Sequence, residues 1–217
     1  MQTKSLNEKE KKVLQGFLEA MQAIKPTRKI GPVVIAMVGL VGSGKSTIAR
    51  ELADRLHAVI IRTDEIRGAL RKVHAESLAS VEVIASCLAR EALLRRVNIV
   101  LDADVVTTEK KKQVERLVES FDAKLWYVRT VAEPDVMFTR AIAADYRDPF
   151  HAVFDSPIVK IREIWRRTPH HYRWSATGGG HWELKTLSHE PLIVIETTDE
   201  KKLRREVVGL AKKILSG

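Results

Sequence analysis

Cysteine is nearly absent: Cys87 is the only one in 217 residues. No disulfide can close within the chain, so a disulfide-stapled small fold is excluded and a reducing cytoplasm is the expected location. Long apolar runs are missing too. The longest, 33–41, holds nine residues, against about 20 for a helix that crosses a bilayer, so no membrane is expected as partner. Residues 5–25 mix Lys with Glu and hold no unbroken apolar segment of the kind a secretory signal needs. There is no internal repeat and no low-complexity tract. With 45% hydrophobic and 30% charged residues, the composition is that of a globular domain with a real core, not a disordered chain.

Positive charge is in excess, 37 Lys and Arg against 28 Asp and Glu, for a formal net charge of +9. That balance favours anionic partners such as nucleotides, nucleic acid, phosphorylated metabolites or acidic lipid, and says nothing about fold.

Apolar periodicity supplies the fold class. Leu6, Val13, Leu14, Phe17, Leu18, Met21 and Ile24 share one stripe of an N-terminal helix whose other face is Lys and Glu. Residues 1–29, closing on a Pro- and Gly-containing linker that runs to residue 32, are expected to form this helix ahead of a main domain over 30–217. Short buried strands are predicted at 33–38, 58–61, 97–101, 125–128 and 192–195. Amphipathic helices at 46–57, 76–96, 108–121 and 200–214 alternate with them. Thr107 or Thr108 is placed to cap the third of these, and the spacing of 197–200 is that of a capping box for the last. Near-continuous apolar strands separated by helices specify an α/β fold with a parallel sheet covered on both faces. The stretch 134–187 departs from this alternation and reads as an inserted or lid element.

One segment carries chemistry outright. Residues 39–47, Gly-Leu-Val-Gly-Ser-Gly-Lys-Ser-Thr, satisfy G-x-x-x-x-G-K-[ST] between a predicted strand and a predicted helix. Gly39, Gly42 and Gly44 let the backbone curl so that amides around Ser43 and Thr47 face an anion, and the helix start adds its dipole. Lys45 is suited to bridge the outer phosphates of a nucleoside triphosphate, and the Ser46 hydroxyl to ligate Mg2+. The D-x-x-G and N-K-x-D of a GTPase switch are absent, as is the L-S-G-G-Q of a transporter ATPase.

Beyond the second predicted strand stands Thr63-Asp64-Glu65-Ile66-Arg67. A carboxylate at the carboxyl end of a buried strand beside the phosphate loop suits a general base. If a helix begins there, Arg67 shares a face with Asp64 and suits a substrate phosphate. The bland alternative is a capping Asp64 paired with Arg67 on the surface. Asp102 ends the third strand in the manner of a Walker-B acid able to reach Mg2+. Asp104 would point the same way if that strand continued.

Taken together, the glycine-rich loop, the short helix, the strand and the Thr-Asp-Glu-Ile-Arg run resemble the P-loop kinases related to polynucleotide 5′-hydroxyl kinase and to the zeta-toxin kinases. The resemblance covers about 33–67 well and 145–190 poorly. It implies a three-layer P-loop NTPase fold with strand order 2-3-1-4-5 and a helical lid after the fourth strand. It implies Asp64 as general base, Arg67 on the acceptor, and lid arginines at Arg140 and then Arg147; surface ion pairs are the alternative for both arginines. The implied function is ATP- and Mg2+-dependent transfer of a γ-phosphoryl group to an alcohol hydroxyl. A polynucleotide 5′-OH is the preferred acceptor, and a nucleotide sugar or small metabolite the alternative. A non-kinase ATPase or regulator with a basic RNA- or protein-binding surface is the rival class.

Residues 157–174 interleave Lys160, Arg162, Arg166, Arg167 and Arg173 with Trp165, Tyr172 and Trp174. The pattern fits a single-stranded nucleic acid. The preferred reading is a basic helix with a solvated face, whose core stripe is Ile158, Ile161 and Trp165. No His, Cys or acidic spacing suggests a structural zinc site.

Overall fold

The computed structural model describes residues 5–26, 31–75, 77–144 and 156–216. Seven strands lie among them: β1 (Val33–Val38), β2 (Val59–Arg62), β3 (Ile99–Asp102), β4 (Lys124–Val131), β5 (Tyr172–Ser175), β6 (His181–Leu184) and β7 (Leu192–Glu196). β5 and β6 pair as an antiparallel hairpin. The other five form one parallel sheet in the order β2-β3-β1-β4-β7, which is the expected 2-3-1-4-5 with β7 as its fifth strand.

The helices are α1 (Glu8–Met21), α2 (Lys45–Leu56), α3 (Thr63–Lys72), α4 (Leu78–Leu94), α5 (Thr108–Glu119), α6 (Pro134–Ala143), α7 (Pro157–His171) and α8 (Glu200–Ser216). Alternate residues of a strand face opposite sides of a sheet, and β1 feeds two cores in this way. Val34, Ala36 and Val38 pack with Ile66 and Leu70 of α3, Ile84 and Leu88 of α4, and Val114 and Val118 of α5. Ile35 and Met37 pack with Ile48 and Leu52 of α2 and with Val207 and Leu210 of α8. The result is three layers, helix–sheet–helix.

The N-terminal helix joins the first of these cores. Leu6, Val13, Leu14, Phe17 and Leu18 pack against it and Met21 is buried in it; a fully buried side chain of that size contributes about 1.5–3 kcal/mol. Asn7 caps α1 through the Glu10 amide, and Glu10 accepts in return from the Asn7 N–H at 2.7 Å. Glu10 is only 2% exposed and also accepts from the Ser80 hydroxyl of α4 at 2.5 Å. A buried hydrogen bond to a charged group contributes about 1.5–3 kcal/mol. Glu10→Ala should therefore lower the urea-unfolding free energy by about 1–3 kcal/mol, and Glu10→Gln by less. An unchanged midpoint in Glu10→Ala would show that the cap and the α1–α4 contact contribute nothing. Residues 27–30 of the expected linker lie outside the described residues.

Two local expectations are corrected. The face of α7 turned inward carries Lys160, Ile164, Thr168 and His171, whereas Ile158 and Trp165 stand 77% and 56% exposed. Ile161 sits at the edge of the small lid core with Leu40, Met137 and Ala141. On this inner face Ile164 packs with Leu40 and Met137, Thr168 bonds the Ile164 carbonyl of its own helix, and His171 meets Asp104 just beyond β3. α8 begins at Glu200, so the residue at its cap position is Asp199 and not Thr197. Thr198 bonds Glu196, and Thr197 reaches across to the phosphate loop.

Candidate active site

The parallel strands end on one edge, at Val38, Arg62, Asp102, Val131 and Glu196, the place where α/β sheets receive ligands. There β1 runs into the glycine-rich loop and α2 follows. Gly42 and Gly44 have φ of 86° and 80°, left-handed values that glycine adopts without strain. Gly39 is required for space instead: a Cβ there would run into Thr130 Oγ1 and come within 2.7 Å of Ser43 Oγ. Gly44 precedes α2 and no side chain caps it, as suits a helix start that receives an anion.

A cleft of about 840 Å³ opens over this loop. Gly42, Gly44, Lys45, Ser46 and Thr47 line it, together with Arg62, Asp64, Arg140, Lys160 and Thr197. Two loop residues expected to meet the nucleotide are placed otherwise. The Gly39 N–H donates to Asp104 Oδ1 at 3.0 Å. The Ser43 hydroxyl is buried against Thr130 Oγ1 at 2.7 Å, and its N–H bonds the Leu40 carbonyl. Both shape the loop from behind.

Lys45 Nζ meets Asp102 Oδ1 at 2.7 Å, and Arg62 Nε lies 3.4 Å from Asp102 Oδ2. The β2–β3 register, which sets Arg62 beside Asp102, accounts for the second contact. Burial pushes the Asp102 carboxyl upward, but Lys45, the Ser46 hydroxyl and Arg62 outweigh it and hold the group below its ordinary value. Burial likewise disfavours the Lys45 cation, and Asp102, Asp104 and Asp64 more than restore it. Lys45, Ser46 and Asp102 thus form one charged cluster at the mouth of the loop.

Asp64 occupies the first turn of α3. Its Oδ1 accepts from Arg67 Nη1 at 2.7 Å, with 37% of the carboxylate side chain exposed. Asp64 lies on the cleft wall and Arg67 does not, so the arginine meets the carboxylate from outside. Arg140, on α6, donates to the Gly42 carbonyl at 3.3 Å, to Thr197 Oγ1 at 3.0 Å and to the Thr197 carbonyl at 2.5 Å. Thr197 Oγ1 in turn donates to the Ser43 carbonyl at 2.9 Å, which ties the lid helix, β7 and the phosphate loop together. Arg147 falls outside the described residues.

Asp104 does not extend the strand alternation, because β3 ends at Asp102 and Asp104 has φ of 47°. Its carboxylate sits behind the loop, accepting from Gly39 N and lying 3.3 Å from His171 Nε2 of α7. Burial pushes it upward, but His171, the Lys45 charge and the Gly39 amide bring it down to about 2. A carboxylate held below its unfolded value of about 3.9 stabilises the fold above that value and loses the contribution as pH falls through the folded one. Asp104 should therefore contribute roughly 2–3 kcal/mol at neutral pH. Asp104→Asn should lower the thermal midpoint at pH 6, with the gap to the wild type closing between about pH 4 and 2. A gap that is constant across that range would refute the coupling.

Thr197, Arg62, Lys160 and the Asp104–His171 pair were not singled out for this site by the sequence. Thr197 was hidden in a capping-box spacing and Lys160 in a basic run. Arg62 carried a detectable signal, since it directly precedes the Thr-Asp-Glu-Ile-Arg segment.

The glycine-rich loop between β1 and α2, the strand order and the acid at the end of β3 define a P-loop NTPase fold. The chain belongs to the AAA domain family AAA_33, whose pattern matches residues 34–166. No curated protein sequence matches it significantly. Among solved structures it is similar to a Chloroflexus aurantiacus protein provisionally assigned as a kinase, with 17% identity and a TM-score of 0.62 over 86% of this chain and 98% of that one. A gluconokinase from Sinorhizobium meliloti is 13% identical, with a TM-score of 0.52 over 86% and 95%. The Mycobacterium tuberculosis APS kinase CysC, solved with AMPPNP and APS, is 14% identical, with a TM-score of 0.51 over 87% and 98%. At these identities the likeness establishes the shared fold. No described helix is long and apolar enough to cross a membrane.

Proposed function

We propose that the protein is an ATP-dependent kinase that moves the γ-phosphoryl group onto the hydroxyl of a small alcohol. The observation that carries this reading is the position of Asp64, a carboxylate on the wall of the cleft that the phosphate loop floors. A carboxylate in that place suits an acceptor hydroxyl: Asp64 takes its proton as the oxygen bonds the γ-phosphorus and the bond to the β–γ bridging oxygen breaks, releasing ADP. Arg67 orients Asp64, and Lys45 and Arg140 meet the charge on the transferring group. The backbone at Gly42, Gly44, Ser46 and Thr47 holds the phosphates. Ser46 and Asp102 offer one hydroxyl and one carboxylate, the sparse oxygen set that Mg2+ accepts when phosphates complete its shell. When bound there, Mg2+ neutralises phosphate charge.

The size of the cleft and its walls support a small acceptor over a polynucleotide end. Of the cations in 157–174, only Lys160 lines the cleft. Arg166 and Arg167 are engaged by Glu163, and Arg173 by Glu183. Named acceptors among the similar kinases are small, APS for one and, by its name, gluconate for another.

The test is [γ-32P]ATP with Mg2+ and a panel of sugar acids, polyols, nucleotide sugars, nucleosides, and 5′-OH DNA and RNA. Label should enter a small alcohol in preference to an oligonucleotide. Preferential labelling of 5′-OH ends would replace the acceptor assignment, and steady release of phosphate with no labelled acceptor would replace the kinase by an ATPase.

A further inference from the structure

Of the stripe expected to make the core of α7, Ile158 and Trp165 turn outward, and Trp174 of the β5–β6 hairpin does the same; each is more than half exposed. The exposed rings are held in place. Trp165 rests on Phe138 of α6, with ring centroids 5.9 Å apart. Trp174 stands opposite Trp182 in the hairpin register and meets it edge-on at 5.3 Å. Gly180 leaves room for it, since a Cβ there would run into the Trp174 ring. Residues two apart share a strand face, so Trp174 lies on the side that Tyr172 anchors in the lid core.

Trp165, Phe138, Tyr172 and Trp182 line one narrow cleft, which makes the aromatics of α7 and of the hairpin a continuous row. At about 30 Å³ that cleft has room for little more than water, so a ligand lies across the rings and not between them. None of these aromatic residues lines the cleft over the phosphate loop. A contiguous exposed apolar surface of this kind marks an interaction site.

The charge around the row is positive. Residues 157–185 carry six Lys and Arg against two Glu. The two glutamates serve three arginines: Glu163 meets Arg166 and Arg167, and Glu183 meets Arg173. An excess of positive charge remains after these pairs are counted. Exposed ion pairs contribute little and are screened by salt, so Arg166, mostly exposed, keeps its charge available to a polyanion. Arg162 lies one turn from both Trp165 and Arg166 on the exposed side of α7, while Arg173 projects from the other face of the hairpin.

We propose that this aromatic row on the lid binds single-stranded nucleic acid, with bases stacked on Trp165 and Trp174 and phosphates met by Arg162 and Arg166. Every base has a π face, and stacking on an indole does not depend on sequence. A duplex keeps its base faces on each other and cannot use the row. An apolar protein partner would cover the rings and leave the cation excess unmatched. The surface is separate from the cleft of the kinase reading, so the strand is a bound partner and not the phosphoryl acceptor.

Fluorescence anisotropy tests this with the full chain, no ATP, and labelled oligo-dT and oligo-rU carrying 5′-phosphates, which removes the hydroxyl that a 5′-kinase would use. Duplex DNA of the same length and heparin, a polyanion without bases, serve as competitors. Single strands should bind roughly 10-fold or more tightly than the duplex and quench tryptophan fluorescence. Trp165→Ala and Trp174→Ala should each weaken binding by about 5- to 100-fold, and the Phe variants should keep most of it. Arg162→Gln and Arg166→Gln should each reduce the slope of log K against log salt by about 0.7.

A duplex or heparin that competes as well as an unlabelled single strand overturns the proposal, because charge alone then accounts for the association. So do tryptophan-to-alanine variants that bind like the wild type, and so does an absence of binding at about 50 mM salt. If the wild type self-associates in sedimentation and Trp165→Ala is monomeric, a second copy covers the row and the proposal falls. Should Trp165→Ala lower the thermal midpoint, Trp174→Ala at the hairpin decides alone. Phosphoryl transfer is no part of the readout, so the kinase reading stands or falls separately.

Discussion

Asp64→Asn should lower the rate of phosphoryl transfer by about 10²- to 10⁴-fold, the usual contribution of a positioned general base, while AMPPNP still binds. Asparagine has nearly the same shape and keeps an oxygen where Asp64 Oδ1 accepts from Arg67 at 2.7 Å. The start of α3 and the cleft wall are therefore retained, and what disappears is the capacity to take a proton. Steady-state kinetics and AMPPNP titration on the same preparation separate the two effects. A matching loss of nucleotide affinity would place Asp64 on the ATP side of the cleft instead.

The second large effect belongs to Lys45. Lys45→Ala should reduce turnover by roughly 10²- to 10³-fold or more, the scale of removing one preorganised donor from a developing anion. Lys45 is held by Asp102 at 2.7 Å, in a pair whose side chains are 14% and 4% exposed. On the proposed reading an incoming triphosphate would compete for the lysine, and Asp102 and Ser46 would then hold the cation that accompanies it. Alanine removes the lysine and leaves Asp102 to Arg62 at 3.4 Å. Turnover should fall in kcat measured at saturating ATP. A change confined to the KM for ATP would contradict a role in the transfer step.

Much of this architecture was readable because it depends on local pattern. β1 is six consecutive buried apolar residues, and the stripes of α2, α4 and α8 recur at helical spacing, so the parallel sheet and its two helical layers followed from periodicity. The phosphate loop was readable because its chemistry needs particular residues at fixed intervals. Asp64 and Arg67 were readable as a pair because a helix turn brings residues three apart together.

The residues that sequence missed act through contacts distant along the chain. Thr197 supports the loop 154 residues away, at Ser43, and His171 meets Asp104 67 residues away. Neither link has a spacing to recognise. The rotation of α7 was misread for a related reason: Ile158 and Trp165 fit an apolar stripe, but the surface this helix packs on is the semi-polar back of the phosphate loop. There His171 meets Asp104 and Lys160 lines the cleft, while Thr168 bonds the Ile164 carbonyl of its own helix.

The most direct measurement follows the fate of the γ-phosphorus in a single turnover, with enzyme in excess of [γ-32P]ATP and a saturating concentration of the acceptor most readily labelled. The wild type should pass the label to the acceptor hydroxyl faster than to water. Asp64→Asn should bind the same ATP and leave the label on it. Label appearing only as inorganic phosphate, or transfer at full rate by Asp64→Asn, would contradict a cleft that joins donor and acceptor at Asp64.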